Sequence, residues 1–267
     1  MTFDSGISFI LRIKNEQETL KECIQSLRNI KVPHEIIVLL NQCTDSSAQI
    51  IRDELEYNSN IKIHHYDVPL SRAGYENLCT DAKSSHSLTY YWNLGPMLSK
   101  YPWMFDWDGD FVMTNPIKEY LASNAWDQAN TPTGVRFHAV DDDGVMHGQE
   151  YLFSHHFYAD KYWFWHLKQT IIPYQTSDPG LAIFHRSSLS KKKSYWEEDP
   201  WFVNDHQDEE SALIRSRMEA VTDLLGPEIV GQARASNQES IALLTHAMMN
   251  EHNLMALGVT PSGGWFS

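Results

Sequence analysis

The chain is short of cysteine and of basic residues. Its three cysteines, Cys23, Cys43 and Cys79, are odd in number and widely spaced, with no C-x-x-C pair. That pattern excludes a disulfide framework and fits free thiols in a reducing compartment. Lys and Arg number 21 against 35 Asp and Glu, for a formal charge of -14. A surface of that sign repels phosphate polyanions and anionic lipid, so no nucleic-acid partner is expected. No apolar run approaches the length of a membrane span. The first residues lack a basic segment followed by an apolar one, so no secretory signal and a cytoplasmic location are expected. Repeats, low-complexity tracts and linkers are also missing, and 267 residues fit one large domain, expected to span 1–267.

What the chain does contain is a core. Hydrophobic residues make up 42%, aromatics 12%, and there are nine Trp. Ile7 to Ile13 is mostly apolar and β-branched, as in a buried parallel strand. Leu20, Cys23, Ile24 and Leu27 recur at helical spacing. Glu35 to Leu40 reads as a second buried strand, Asp45 or Ser46 caps a helix through Tyr57, and Ile61 to Tyr66 reads as a third strand. Strand–helix–strand–helix–strand predicts a parallel sheet, whose ligands bind at the carboxyl ends of the strands. Helices are predicted from Arg72 to Lys83 and from Leu88 to Lys100, the latter interrupted at Gly95-Pro96, and Pro116 suits the first turn of a short helix.

The second half reads differently. Thr133 to Val140 and Val145 to Phe153 predict two strands joined at 141–144 by Asp-Asp-Asp-Gly, a solvated hairpin turn. Residues 155–166 are dense in His, Tyr, Trp and Phe, which serve either core packing or a platform for sugar rings. Leu181 to Phe184 is a short strand ending in His185. Leu213, Ile214, Met218, Val221 and Leu225 lie on one face of a helix stopped by Gly226-Pro227.

The chemistry gathers at 103–113, where a buried strand from Trp103 runs into three carboxylates, Asp106, Asp108 and Asp110, before an apolar run resumes at Phe111. Carboxylates are seldom buried unless paired or holding a metal. In extended chain, residues two apart point the same way, so Asp108 and Asp110 can converge, and converging oxygens suit Mg²⁺ or Mn²⁺. A polar turn bent at Gly109 is the plainer alternative. Asn15, Asn41 and this stretch all follow strand ends, so they are expected to share one rim.

Three motifs in this order resemble those of family 2-type glycosyltransferases over roughly the first 115 residues. Residues 7–16, Ile-Ser-Phe-Ile-Leu-Arg-Ile-Lys-Asn-Glu, look like the family's opening strand and Asn-Glu turn. Residues 38–45, Val-Leu-Leu-Asn-Gln-Cys-Thr-Asp, resemble its second motif, and 105–110, Phe-Asp-Trp-Asp-Gly-Asp, its D-x-D. The resemblance implies an α/β fold of the GT-A type: a Rossmann-like, mixed but mostly parallel sheet flanked by helices, with a smaller acceptor-side sheet. Residues 1–115 would form the nucleotide-sugar-binding half and 116–267 the acceptor-binding half. It implies transfer of a sugar from a nucleotide-diphosphate sugar, a UDP-sugar first, to a carbohydrate or glycoconjugate acceptor, with Mn²⁺ or Mg²⁺ as cofactor.

Residue by residue, the resemblance places Ile13, Asn15 and Glu16 on the donor-binding loop. Asn41 stands where the family commonly has an Asp that contacts the base. Arg72 resembles a basic residue near the nucleotide, with Asn77 behind it. Asp108 and Asp110 match the metal-holding D-x-D, because Trp107 fits the apolar strand end, and Asp108 also faces the donor. His185 resembles a late metal ligand. Residues 208–217 resemble the family's late acidic helix start, so Asp208, Glu209 and Glu210 are all candidates for the catalytic base, with 197–199 a rival cluster. A single base removing the acceptor proton, with direct displacement, predicts inversion at the anomeric carbon. Trp103, Trp107 or the segment 162–165 would wall the pocket. Two other readings stand beside this one. Sugar nucleotidyl transfer usually brings a Gly-rich phosphate loop that 12–16 lack; a non-catalytic carbohydrate-binding protein would not need three ordered strand-end motifs.

Overall fold

Two periodicities, one of buried apolar runs and one of amphipathic stretches, become alternating strands and helices along the first half of the chain. The computed structural model describes residues 6–72, 75–81, 83–123, 126, 134–154, 174–176, 180–189 and 202–228. In chain order these form β1 (Ile7–Ile13), α1 (Leu20–Ser26), β2 (His34–Asn41), α2 (Ser47–Leu55), β3 (Ile61–Tyr66), α3 (Tyr75–Cys79), α4 (Leu88–Leu98), β4 (Trp103–Trp107), β5 (Phe111–Val112) and α5 (Asn115–Ala122). Then follow β6 (Gly134–Asp141), β7 (Met146–Ser154), β8 (Tyr174–Thr176), β9 (Ala182–His185), α6 (Phe202–Asp205) and α7 (Glu209–Leu225). The chain divides into two units: Met1–Asp67, Gly95–Ala159 and Ile172–Trp196 form the first, and Val68–Leu94, Asp160–Ile171 and Glu197–Ser267 the second.

The first unit is built on one sheet of order β3-β2-β1-β4-β7-β6-β9-β5, with β8 paired to β6. Strands β3, β2, β1 and β4 are parallel neighbours. The sheet then turns mixed: β7 is antiparallel to β4 and β6, β9 is parallel to β6, and β5 is antiparallel to β9. The fold is therefore α/β, with a four-stranded parallel part extended by a smaller mixed part. The strands after residue 115 continue the same hydrogen-bonded sheet.

The alternation along each strand decides the layers. Ile7, Phe9, Leu11 and Ile13 of β1, Ile36, Val38 and Leu40 of β2, and Trp103, Phe105 and Trp107 of β4 share one face. Against it pack Leu20, Cys23, Ile24 and Leu27, Ile51 of α2, and Ile117 and Leu121 of α5. Each such side chain, fully buried, contributes about 1.5–3 kcal/mol of hydrophobic stabilisation. The other face is also buried: Ile10, Ile37, Leu39 and Met104 are all at or below 1% exposed. Double-sided burial is why these strands read as continuous apolar runs. On that second face Arg12 Nη1 donates to Asp106 Oδ1 at 2.8 Å, which pairs the one carboxylate buried inside β4.

Two helices differ from expectation. The helix predicted over 72–83 is only α3, because Asp81 makes its own turn: its carbonyl accepts from Ser84 N at 2.9 Å and its Oδ1 from Lys83 N at 2.8 Å. The helix α4 is not interrupted at Gly95-Pro96. Pro96 falls in its last turn, so the one i→i−4 bond it removes lies near the helix end, and Gly95 serves packing: a Cβ there would lie 2.5 Å from Ile10 Cγ2. Ser46 is the N-cap of α2 and makes no side-chain capping bond; Asp45 before it accepts from Ser47 N at 2.9 Å, and the helix ends at Leu55 rather than Tyr57. Pro116 sits in the first turn of α5.

In the second unit, Asp208 caps α7, its Oδ1 accepting from Ser211 N at 2.8 Å and Ser211 Oγ at 2.9 Å. Ile214 and Met218 are buried while Leu213 is 49% exposed, so the apolar stripe of α7 is narrower than the periodicity implied. Gly226, at φ 88°, ends the helix. No helix among the described residues is long and apolar enough to cross a membrane.

Candidate functional site

At the carboxyl ends of β1, β2 and β4 three loops meet. Ile13 closes β1 inside the core, and Asn15 two residues later takes a left-handed conformation, φ 57°. Asn tolerates that region better than most residues. The turn aims its side chain at the loop after β2: Oδ1 accepts from Thr44 N at 2.8 Å and Asp45 N at 3.3 Å, while Nδ2 donates to Thr44 Oγ1 at 3.1 Å. Glu16 N donates to Ser47 Oγ at 2.7 Å and Gln17 N to Asp45 Oδ2 at 3.0 Å. These donors hold the Asp45 carboxyl below its usual range, against the opposing effect of burial. Asn41, buried at the end of β2, donates from Nδ2 to Tyr66 O at 2.9 Å, so its amide ties β2 to β3.

The acidic turn leaves β4 beside this scaffold. A Cβ on Gly109 would lie 2.9 Å from Glu16 Cγ and 3.0 Å from Ile13 Cδ1, so the turn presses on the β1 loop and needs a residue without a side chain at its apex. The Asp108 carbonyl accepts from Phe111 N at 3.1 Å and from Cys23 Sγ at 3.4 Å. Burial pushes the Cys23 thiol well above its usual range, and the nearby carboxylates of Asp110, Asp108 and Glu16 add to it. Gly109, between Asp108 and Asp110, thus lies against Ile13 and Glu16 of the β1 loop, whereas Asp106 turns to Arg12.

His185 joins the rim from β9. Its Nε2 lies 3.2 Å from Asp110 Oδ2 and its Nδ1 2.7 Å from Asp141 Oδ1. The ring meets Phe111 edge-on, at 5.4 Å and 89°. Burial disfavours charge on the imidazole, but Asp110 and Asp141 outweigh it and raise its pKa to about 9. As an imidazolium it donates from both nitrogens. Asp141 belongs to the acidic turn that the sequence presents as solvated. The turn is there, with Gly144 N donating to Asp141 O at 2.9 Å, but the Asp141 side chain is only 16% exposed.

Among the described residues no group of three or more His, Cys, Asp or Glu is disposed to hold a metal ion. Mg²⁺ sites that also bind phosphate commonly use only one or two carboxylates, with substrate oxygens and water completing the shell. Oxygen donors at Asp108 and Asp110 suit that chemistry. Asp110 and His185 bring an oxygen and a nitrogen donor side by side, and with Asp108 in the same turn this donor set suits a cation whose shell is completed by substrate oxygens and water.

The remaining sequence candidates lie in the second unit. Arg72 N donates to the Glu76 carboxylate, which also accepts from Val203 N at 2.8 Å; burial raises the Glu76 pKa in spite of these bonds. Asn77 Oδ1 accepts from Leu88 N at 2.8 Å and so caps α4. Of the late acids, Asp208 is the helix cap, Glu209 is exposed, and Glu210 bonds Ser84 Oγ and lies 3.6 Å from His86 Nε2. The aromatic stretch 155–166 and the acids at 197–199 lie outside the described residues.

No protein-family model matches the chain. A search of curated proteins gave no match. Solved structures align with it at low identity. One is the S. aureus TarS 1-349 structure, with a TM-score of 0.39, 15% identity, and coverage of 52% of this chain and 37% of that one. The chain thus spans little more than a third of that protein. Another is the mannosyltransferase PcManGT from Pyrobaculum calidifontis in complex with GDP-Man and Mn²⁺, with a TM-score of 0.49, 15% identity, and coverage of 97% and 87%. A third is glucosyl-3-phosphoglycerate synthase from Mycobacterium tuberculosis in complex with Mn²⁺, UDP and phosphoglyceric acid, with a TM-score of 0.46, 13% identity, and coverage of 82% and 78%.

Proposed function

We propose that the chain is a metal-dependent glycosyltransferase of the family 2 type, moving a sugar from a nucleotide-diphosphate sugar to an acceptor hydroxyl with inversion. The observation that carries this reading is the apposition of the Asp108–Asp110 turn to the β1 loop, with Gly109 against Ile13 and Glu16 and His185 3.2 Å from Asp110. It gathers oxygen and nitrogen donors at the carboxyl edge of a parallel sheet, where such folds bind ligands. Asp108, Asp110 and His185 would hold Mn²⁺ or Mg²⁺, which when bound neutralises charge on the departing diphosphate.

The protein's own groups supply the rest. The bridge from Asn15 to Thr44 and Asp45 fixes the two loops that flank the donor, so the nucleotide meets a preformed wall. Glu16, beside Gly109, sets the acidic turn against that wall. Arg72 is assigned to the donor phosphates by its charge. Asp208, Glu209 and Glu210 at the start of α7 are the candidates for the base that takes the acceptor proton, Asp208 also capping the helix.

The test is calorimetric titration with UDP in the presence and absence of Mn²⁺, followed by a screen of nucleotide sugars for metal-dependent release of the nucleoside diphosphate. UDP should bind only with the cation, and Asp110→Ala should remove that binding while leaving the urea midpoint unchanged. Protein that with Mn²⁺ neither binds nor hydrolyses any nucleotide sugar would overturn the reading.

A further inference from the structure

The mixed part of the sheet places one carboxylate where no sequence motif marks it. Strand β9 runs between β6 and β5, with Asp141 opposite His185 on one side and Phe111 opposite His185 on the other. The imidazole is therefore flanked by Asp141 from the end of β6 and by Asp110 from the residue before β5. The two contacts are unequal. At 2.7 Å the Asp141 contact has the length of a charge-assisted hydrogen bond, and at 3.2 Å the Asp110 contact is long for one.

Asp141 is itself held rigidly. The next residue, Asp142, accepts from Ser188 N at 3.0 Å, Ser188 Oγ at 2.5 Å and Arg186 Nη1 at 3.2 Å, tying the β6–β7 turn to the segment after β9. Arg186 N donates to Asp110 O at 2.9 Å, and Arg186 Nε to Glu22 Oε2 at 2.8 Å. The carboxylate facing Nδ1 thus has a fixed address.

A neutral imidazole carries one N–H, and the partner of one nitrogen decides which. We propose that Asp141 is a positioning residue of this site: it keeps the proton of His185 on Nδ1 and fixes the ring plane, so that Nε2 faces Asp110 and is available to a divalent cation. The proposal rests on the reading of Asp110 and His185 as cation-holding groups. Carboxylates placed behind metal-bound histidines typically change metal affinity about 10–100-fold when removed.

The test compares Asp141→Ala, Asp141→Asn and Asp142→Ala with the parent. Mn²⁺ binding is measured by electron paramagnetic resonance with UDP present, and the ¹⁵N shifts of His185 are read in the Mg²⁺–UDP complex. Asp141→Ala should bind Mn²⁺ about 10–100-fold more weakly and lose the single Nδ1–H tautomer. Asp141→Asn keeps the shape and an acceptor oxygen without the charge, so it should lose less affinity; it carries the test if the alanine variant does not fold. Asp142→Ala loosens the turn that holds Asp141 without removing the carboxylate that faces the ring, so it should lose less affinity than Asp141→Ala. Parent-like Mn²⁺ affinity and an unchanged tautomer in the Asp141 variants would overturn the proposal alone. A parent protein that binds no Mn²⁺ would overturn the reading of the site, and this proposal with it.

Discussion

Asn15 offers the sharpest quantitative test of the rim. Its side chain bonds the loop after β2 at distances that include 2.8, 3.1 and 3.3 Å, from a backbone at φ 57°. Two perturbations separate these contributions. Asn15→Ala removes the bonds and puts a Cβ residue with no local hydrogen bond into the left-handed region, which costs about 1–2 kcal/mol. With about 1 kcal/mol net for each of the two better bonds, the variant should lose about 3–4 kcal/mol. Asn15→Gly removes the same bonds but accepts the backbone, at a flexibility cost of about 0.5–1 kcal/mol, so it should lose about 2–3 kcal/mol. Asn15→Asp keeps the acceptor for Thr44 N and Asp45 N and tolerates the turn, so it should be the mildest of the three. Urea unfolding at a common slope measures the series, and metal-dependent UDP titration follows whether the flanking loops still seat the nucleotide. Equal losses for Ala and Gly, or losses below about 0.5 kcal/mol in both, would refute the assignment of strain and bridge to this residue.

Other expectations follow from the same geometry. Asp106→Ala leaves Arg12 buried without its carboxylate and should lower stability by about 3–5 kcal/mol in urea unfolding, whereas Asp110→Ala should not. Asp208→Ala removes the α7 cap and should lower the urea midpoint while metal-dependent turnover persists; loss of turnover at unchanged stability would make Asp208 the base instead. Burial works against charge on Glu35, but donors from Lys62, Ser8 and the Lys100 N–H prevail and hold its pKa below the ordinary 4.5. A depressed carboxyl stabilises the fold above its unfolded pKa and loses that contribution as pH falls through the folded one. The acid limb of the stability–pH curve, below about 4.5, should therefore flatten in Glu35→Gln, and an unchanged limb would count against the network.

Much of the first unit's layout was legible because it is local. A strand buried on both faces must be apolar throughout, so β1 stands at the bounds its composition predicts; β3 does too, although it is an edge strand with only Ile61 buried. A helix with one buried face repeats every three to four residues, which made α1 visible, and Pro116 marked the start of α5. The spacing of Asp108 and Asp110 after an apolar strand marked the acidic turn. Local rules failed where a residue's fate depended on a distant neighbour. Pro96 reads as a helix break, yet α4 runs to Leu98, and Gly95 before it lies against Ile10 of β1. The 141–144 stretch reads as a solvated turn, yet Asp141 faces His185 across the β6–β9 pairing.

Sequence alone determined most of the strands and helices up to β4, since periodicity and capping act over a few residues. It also determined that carboxylates and amides would cluster just beyond strand ends. Tertiary structure decided which of them meet. Register between strands tens of residues apart is fixed by the packing of the whole sheet, and no short-range pattern carries it. That packing sends Asp106 to Arg12, sets Gly109 on Ile13 and Glu16, and encloses His185 between Asp110 and Asp141.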